Sequence, residues 1–241
     1  MKDRQILFSA PMVRALLDGS KTQTRRVVKP QPEADQVLRT ITGSSGLVYS
    51  MDETPMLPYP AVRRIRWDCL YGNPGDRIYG RETYYAWGRW ETRFSAKKGR
   101  DEWHFVDMTL GSGREYLFAA GNKHYSTSLR ANQGRGVYPG WWKRPALFMP
   151  KAAARIWLEI TGVRVERLQG ISEGDAMAEG VAPKWEPGCS GRLMEAFSGF
   201  SFRPAASAYA DLWESINGAG SWDANPWVWV VEFKVVRGEE V

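Results

Sequence analysis

The sequence predicts a mainly β fold with short helices, in the α+β class, arranged as a small β-barrel with long loop insertions. A few short helical patterns alternate with five strand-like runs, near 6–9, 22–28, 76–84, 156–166 and 227–236. The chain has no internal repeat and no coiled-coil heptads, so it does not predict a solenoid or a helical rod. We therefore expect residues 1–241 to form one domain.

The first 28 residues predict a strand, a helix and a second strand. Ser9 offers an N-cap oxygen, and Pro11 stands in the first helical turn, where its missing N–H costs nothing. Gly19 supplies the C-cap. In the strand that follows, two sets of residues would point to opposite faces: Lys21, Gln23 and Arg25 on one, and Thr22, Thr24 and Arg26 on the other.

Three stretches are predicted to be insertions, at about 31–70, 86–140 and 182–203. The first is rich in Pro, Gly, Ser and Thr and predicts a long loop or a hairpin. The second is polar and punctuated by glycine, which predicts irregular structure with strand-like pieces at 103–109 and 115–119. The third predicts a loop.

The C-terminal half predicts two helices and a strand. Ser172 caps the first helix, Glu173 favours its positive end and Gly180 ends it. The second helix, at 205–216, is amphipathic. The run 227–236 is almost continuously apolar, which predicts a strand buried on both faces.

The composition is that of a folded, moderately basic protein. Hydrophobic residues make up 43% and charged residues 25%, which excludes a disordered chain. The 33 Lys and Arg against 27 Asp and Glu give a net charge of +6, which fits attraction to phosphates. The 12 Trp can build a core or stack on bases.

The cysteines and histidines do not predict a metal site. Cys69, Cys189, His104 and His124 have no zinc-type spacing, so we expect no metal and no cofactor. The apolar run near the N-terminus is too short for a signal peptide, and no stretch approaches the roughly 18 apolar residues of a membrane span. These features predict a cytoplasmic protein with no membrane partner.

The run 19–26 carries the strongest chemical signal. It contains the cations Lys21, Arg25 and Arg26 together with two threonine hydroxyls. Such a cluster can bind a phosphate or carbonyl oxygen, and a buried Lys can act as a base when its pKa falls. The neighbouring Thr24 hydroxyl can then serve as a nucleophile. A solvated basic strand is the alternative interpretation.

Two further places carry candidate charged residues. Arg81 and Glu82 form either a structural ion pair or part of a pocket wall. Glu179 lies in the last turn of the predicted helix, where a carboxylate is unfavourable by about 0.3–1 kcal/mol. Pairing with Lys21 would explain that position, and an exposed glutamate tolerated at small cost is the alternative.

Aromatic and amide side chains crowd the turn before the last strand. Trp222, Asn225 and Trp227 could stack on a base and hydrogen-bond to its edge. The alternative is a packed turn that closes the barrel.

Together these segments resemble the ASCH domain family of the PUA-like superfamily. The run Gly19-x-Lys21-x-x-Thr24-x-Arg26 matches the Gly-x-Lys-x-x-x-x-Arg motif of that family. The block at 75–82 is similar to the family's following strand. The late segments, from 149 to 234, are similar to members found in phage and prophage genomes. Roughly half the chain is covered, and the stretches at 31–70 and 86–140 are not.

The resemblance implies a PUA-like β-barrel with a pocket lined by the lysine motif. The motif is similar to that of small bacterial amidohydrolases that remove the acetyl group from N4-acetylcytidine. Their proposed catalytic set, carried over residue by residue, falls on Lys21, Thr24 and Glu179. Glu173 and Glu82 compete with Glu179 for the carboxylate role. Other family members resemble ribonucleases or RNA-binding modules.

The leading hypothesis is therefore an amidohydrolase for N4-acylated cytosine nucleosides or bases. Lys21 would act as base, Thr24 as nucleophile and Glu179 as the orienting carboxylate, while Arg26 or a backbone N–H would hold the oxyanion. The alternatives are a non-catalytic RNA or modified-DNA base binder, a ribonuclease, and a phage accessory protein without catalysis. The expected partner is a nucleoside, a nucleobase, RNA or single-stranded DNA, bound in a salt-sensitive manner. Its contacts are predicted at Arg25, Arg26, Arg81, Glu82, Trp222, Asn225 and Trp227.

Overall fold

The computed structural model describes residues 3–32, 37–40, 47–51, 66–120, 138–187 and 200–236. Within these ranges the fold is mainly β with few helices, as the sequence predicts. The helices are α1 (Ala10–Leu17), α2 (Glu173–Ala178) and α3 (Ala205–Asn217). The strands are β1 (Arg4–Leu7), β2 (Gln23–Val27), β3 (Val37–Thr40), β4 (Leu47–Met51), β5 (Arg66–Asp68), β6 (Arg77–Arg81), β7 (Tyr84–Ser95), β8 (Arg100–Asp107), β9 (Leu117–Phe118), β10 (Gly140–Arg144), β11 (Trp157–Arg167), β12 (Lys184–Pro187), β13 (Phe200–Arg203) and β14 (Trp227–Val236).

The five strands predicted for the barrel form one five-stranded sheet. Its order is β1-β6-β11-β14-β2, and β14 runs antiparallel to both of its neighbours. The first strand begins and ends two residues earlier than predicted, and the other four differ from their predicted bounds by three residues or fewer. The prediction of these five strands is confirmed.

The predicted closure into a barrel is not found among the described strands. β1 and β2 are the two edges of the sheet. The edge beside the start of β2 is occupied by the end of α2. There the backbone N–H of Thr22 donates to the carbonyl of Ala178, and Lys21 forms an isolated antiparallel bridge with Glu179. A helix end therefore pairs at a position that a closing strand would need.

The chain divides into two compact units that interleave in sequence. Among the described residues, the first comprises those within 3–4, 18–78 and 157–236, and the second comprises those within 5–17 and 79–156. The boundary does not separate an N-terminal half from a C-terminal half.

In the first unit, α2 and α3 pack on one face of the sheet. The apolar residues buried there come from both helices, from β14 and from the segment before α2. They are Leu168, Ile171, Ala176, Ala205, Tyr209, Trp213, Val228 and Val230. Trp229 and Val231, which point to the other face of β14, are buried too. The prediction that this strand is buried on both faces is confirmed.

In the second unit, β7 is the central strand of a sheet of order β10-β7-β8, and β9 also pairs with β7. Its core contains Tyr84, Ala86, Met149 and Ala153. The prediction of irregular structure is wrong for 86–95, because β7 continues unbroken to Ser95, while the strand-like pieces predicted at 103–109 and 115–119 overlap β8 and β9. The glycine within it, Gly88, is required by close packing, since a Cβ there would lie 2.1 Å from the carbonyl oxygen of Val106.

The other two predicted insertions also contain paired strands. β3, β4 and β5 form an antiparallel three-stranded sheet, which agrees with the hairpin alternative for 31–70. β12 and β13 form an antiparallel pair where a loop was predicted. The remaining parts of these insertions, 33–36, 41–46, 52–65 and 188–199, lie outside the described residues, as does 121–137 of the second insertion.

No helix in the described part of the chain combines the length and the apolar character needed to cross a membrane.

Candidate functional site

A buried ion pair joins the start of β2 to the end of α2. The ammonium nitrogen of Lys21 lies 2.6 Å from Oε2 of Glu179 and 2.9 Å from the backbone carbonyl oxygen of the same residue. Lys21 is 1% exposed and Glu179 is 2% exposed. The pairing inferred from the unfavourable position of Glu179 in its helix is therefore found.

Local sequence places Glu179 at this point. Ser172 begins α2 with a capping box: its hydroxyl accepts from the backbone N–H of Asp175, and the Asp175 carboxylate accepts from the backbone N–H of Ser172. The helix lasts six residues, and Glu179 is its C-cap residue. Gly180 follows with φ of 85°, a left-handed conformation that glycine adopts readily. The chain thus turns where the Glu179 side chain meets Lys21.

Burial changes the acidity of the Lys21 ammonium. Desolvation lowers the pKa of Lys21, and the positive charges of Arg26 and Arg25 act in the same direction. The negative charge of Glu179 and its hydrogen bond oppose the shift without cancelling it. The shift is in the direction that a lysine base needs, and the carboxylate holds the amine in place.

Arg25 ties Glu179 to the rest of the sheet. Its guanidinium lies 3.5 Å from Oε1 of Glu179, 3.4 Å from Asp175 and 3.1 Å from Glu166. The arginine side chain is fully buried, whereas Glu166 and Asp175 are partly exposed. Its Nε–H has no acceptor among the described residues. One cation thus bridges three carboxylates and keeps a free donor.

The network continues along the same face of the sheet. Gln23 donates to the carbonyl and the carboxylate of Asp175 at 2.9 and 3.1 Å. Arg164 binds Asp175 at 2.8 Å and also pairs with Glu166 and Glu232. Three cations and four carboxylates take part, namely Lys21, Arg25 and Arg164 with Glu166, Asp175, Glu179 and Glu232.

The acidity of the Asp175 carboxyl group depends strongly on these contacts. Burial alone would raise its pKa, but the hydrogen bonds from Ser172 and Gln23 and the charges of Arg25 and Arg164 outweigh it and lower the pKa to about 2. The carboxylate therefore stays ionised throughout the neutral range.

Thr24 does not share the face of β2 that carries Lys21. Lys21, Gln23 and Arg25 all reach α2, whereas Thr24 belongs to the alternate set that the strand points the other way. Thr24 is buried, and among the described residues the ammonium of Lys21 contacts Glu179 and not the Thr24 hydroxyl. Arg26 belongs to the same set as Thr24.

Sequence reasoning did not identify Tyr209 as part of this region. It lies on α3, is buried, and packs its ring against Trp213 and Trp222. Burial and the negative charge of Glu179 raise its pKa, so the phenol keeps its proton at neutral pH. Helical spacing predicts a buried position for Tyr209, but nothing local connects it with residue 179.

Arg81 and Glu82 form contacts within the second unit. Glu82 accepts two hydrogen bonds from the guanidinium of Arg155, at 2.8 and 3.0 Å. Arg81 donates to Gln5 and to the carbonyl of Leu147. The two neighbours therefore do not pair with each other, and each has a structural partner. Burial raises the pKa of Glu82, while Arg155 opposes the shift.

Glu173, another candidate for the carboxylate role, has a different partner. Its side chain accepts hydrogen bonds from the backbone N–H groups of Ala205 and Ala206, at 2.8 and 3.2 Å. These are the first residues of α3, where orphan N–H groups attract a carboxylate. Glu179 is therefore the candidate that meets Lys21.

The turn before β14 is packed. Trp222 lies against the apolar cluster of the first unit. The side-chain oxygen of Asn225 accepts from the backbone N–H of Gln169, and the guanidinium of Arg167 lies over the ring of Trp227 at 4.5 Å. These contacts agree with the packed-turn alternative for these three residues.

Models of known protein families, curated proteins and solved structures were compared with the chain, and none of them matches it. The resemblance to the ASCH family therefore depends on the motif residues and their order. Among the described residues, no group of three or more His, Cys, Asp or Glu side chains is placed to hold a metal ion.

Proposed function

We propose that this protein is an ASCH-type amidohydrolase that removes an acyl group from N4-acylated cytosine nucleosides or bases. The observation that supports the proposal most is the buried contact of 2.6 Å between Lys21 and Glu179. The motif resemblance implies the same two residue types as partners in catalysis. A PUA-like fold, with the five-stranded sheet at its centre, is part of this proposal.

The chemistry requires a neutral lysine. Burial lowers the pKa of Lys21, which increases the fraction of neutral amine that can accept a proton from the nucleophile that attacks the acyl carbon. The resulting ammonium then gives that proton to N4 of cytosine as the C–N bond breaks. The products are a carboxylic acid and the free 4-amino base. Glu179 orients the amine and balances the charge of the transient ammonium.

The geometry favours water over Thr24 as the nucleophile. The Thr24 hydroxyl belongs to the opposite face of β2, so Lys21 would have to leave Glu179 to reach it. Arg25 lies on the Lys21 face, and its buried Nε–H lacks an acceptor among the described residues. An acyl oxygen that gains negative charge could take this donor.

The test is an assay of cytidine release from N4-acetylcytidine, followed by liquid chromatography. We expect turnover by the wild type and none by Lys21→Ala or Glu179→Gln. A matched control is Lys234→Ala, which removes the lysine of an exposed pair with Glu159 in the same unit and should leave turnover unchanged. Inactivity of the wild type on every N4-acyl cytosine tried would defeat the proposal.

One observation favours a second candidate, a non-catalytic base binder. Each cation that reaches α2 already has carboxylate partners, as a rigid structural network would require. In that case N4-acetylcytidine or cytidine would bind without turnover, which isothermal titration calorimetry would detect. These cations, which are buried and already paired with carboxylates, suit a ribonuclease less well, because stabilising the negative charge of a phosphate requires cations that are free to bind it.

A further inference from the structure

A two-stranded ribbon extends from the second unit. It consists of residues 89–95 of β7 and 100–107 of β8, joined by a tight turn at 96–99. The strands are antiparallel, with Trp90 opposite Phe105, Thr92 opposite Trp103 and Phe94 opposite Asp101. Opposed residues share a face, so these three pairs lie on one side of the ribbon.

This side of the ribbon is aromatic, and it is exposed near the turn. Trp103 is 60% exposed and Phe94 is 69% exposed. They occupy diagonal positions on neighbouring strands, a separation of about 7–8 Å between their Cα atoms. Trp90 and Phe105 are partly buried and meet edge to face at 5.4 Å, with the guanidinium of Arg144 over both rings. The partly buried rings of Trp90 and Phe105 thus lie on the same side of the ribbon as the exposed rings of Trp103 and Phe94.

Trp103 lines two surface grooves. One has a volume of about 430 Å³ and is lined by Trp103, Trp90, Thr92, Arg89 and Glu91. The other has a volume of about 410 Å³ and is lined by residues 100–104. The exposed indole is therefore accessible to a ligand beside polar and charged side chains.

The ribbon carries an excess of positive charge. Between residues 89 and 107 there are five cations and four carboxylates, which gives a net charge of +1. Glu91 is shared by Arg89 and Arg93, at 2.6 and 4.0 Å, and Glu102 is shared by two further cations, at 2.7 and 3.8 Å. The five cations are Arg89, Arg93, Lys97, Lys98 and Arg100. A partner with regularly spaced negative charge complements this arrangement.

We infer that the aromatic side of this ribbon binds single-stranded nucleic acid, with bases stacked on Trp103 and Phe94 and phosphates near the cations of the turn. Exposed rings on adjacent strands of a sheet suit two successive bases, because every base has a flat face to stack. Lys97 and Lys98, in the turn next to the exposed rings, can then neutralise the backbone, whereas the three arginines belong to the opposite face of the ribbon. The inference is independent of the proposed hydrolase activity, since binding here uses neither Lys21 nor Glu179.

The experiment measures the fluorescence anisotropy of labelled oligo(U) and oligo(dT) of about twelve nucleotides, at roughly 50 and 200 mM salt. We expect binding that weakens with salt and quenches tryptophan fluorescence. Trp103→Ala should weaken binding about tenfold or more, and Trp103→Phe should retain most of it, because a ring remains. Circular dichroism verifies that the variants keep the fold.

The matched control is Phe202→Ala, which removes an exposed aromatic ring from β13 in the other unit. It should bind as the wild type does. The inference is overturned if the wild type does not bind at the lower salt, or if Trp103→Ala binds equally well. It is also overturned if Trp103→Ala alters the oligomeric state in light scattering while oligonucleotide affinity is unchanged, since the ribbon would then be a protein interface. The binding assay involves no deacylation, so a failed deacylation assay leaves this result unaffected.

Discussion

The ammonium nitrogen of Lys21 lies 2.6 Å from Oε2 of Glu179, and neither side chain is appreciably exposed. The contact fixes the C-terminal end of α2 to the entrance of β2. Removing two charges from water costs several kcal/mol per ion, and the mutual attraction offsets that cost only while both partners are present. The integrity of this pair therefore determines stability as well as any chemistry at the site.

Lys21→Met should destabilise the fold. It leaves the Glu179 carboxylate buried without its nearest cation, and breaking a buried pair in this way costs about 3–5 kcal/mol. We expect the lower end of that range, because Arg25 remains 3.5 Å from the same carboxylate. Urea unfolding at neutral pH gives the change in the free energy of unfolding.

The double variant Lys21→Met/Glu179→Leu is the control for this prediction. Removing both charges should recover most of the lost stability, since no uncompensated ion stays buried. Lys234→Met, at the exposed pair with Glu159, should cost less than about 1 kcal/mol. A double variant as unstable as the single one would show that packing at residue 21, rather than charge pairing, determines the loss.

The stability of the wild type should rise with pH in the alkaline range, compared with Lys21→Met. Burial lowers the pKa of Lys21 in the folded protein below the value of about 10.4 expected when the chain is unfolded. Between those two values the unfolded state binds more protons, so the free energy of unfolding increases with pH. Chemical denaturation of both proteins from about pH 8 to 10.5 measures the difference. If the stability of the wild type relative to Lys21→Met decreases over this interval, the pKa of Lys21 is raised in the folded protein and not lowered.

Much of the site could be predicted from the sequence because its determinants are local. Alternation along 21–26 indicated which side chains share a face, and the structure brings Lys21, Gln23 and Arg25 to α2 together. The unfavourable carboxylate at the end of a helix indicated that Glu179 has a cation partner. The capping residue Ser172 and the terminating Gly180 located the helix itself.

The remaining features depend on tertiary contacts that no local pattern carries. The bridge from Arg25 to Glu166 spans 141 positions along the chain. The glycines of 86–140 were read as a sign of irregular structure, but Gly88 lies inside β7, where the approach of Val106 leaves no room for a side chain. Closure of the barrel was predicted from the alternation of strand-like runs with short helices and from the family resemblance, and neither shows that the end of α2 would pair beside β2.

Asp175→Asn should lower stability at neutral pH by about 1–2 kcal/mol. The depressed pKa of Asp175, about 2, corresponds to about 2 kcal/mol of favourable interaction, reduced here because the side chain is partly exposed. This contribution is complete above about pH 4 and is lost as the pH falls towards about 2. The difference in stability between the wild type and Asp175→Asn should therefore decrease over that range. Thermal unfolding from pH 7 to 2.5 measures it. The exposed Asp223→Asn should change stability by no more than about 0.5 kcal/mol at any pH.

Substitutions of Thr24 should separate a threonine nucleophile from water. Since Thr24 belongs to the face of β2 opposite Lys21, we expect Thr24→Val to retain a measurable part of kcat/KM on N4-acetylcytidine, and Lys21→Ala to retain none. Thr24→Ser keeps a hydroxyl in the same buried position and serves as the comparison. If Thr24→Val is as inactive as Lys21→Ala while Thr24→Ser turns over, the hydroxyl is the nucleophile, and Lys21 must move during the reaction.

Substitutions of the three candidate carboxylates should affect different properties. Glu173→Ala removes the carboxylate that caps α3, so it should cost about 0.5–2 kcal/mol of stability and leave turnover of the folded protein unchanged. Glu82→Gln weakens a structural pair with Arg155 and should likewise affect unfolding rather than turnover. Glu179→Gln should abolish turnover, because an amide cannot balance the transient charge on the Lys21 ammonium. Parallel measurements of kcat/KM and urea midpoints test this assignment. If Glu173→Ala loses turnover at a temperature where that variant is fully folded, the catalytic carboxylate is Glu173 and not Glu179.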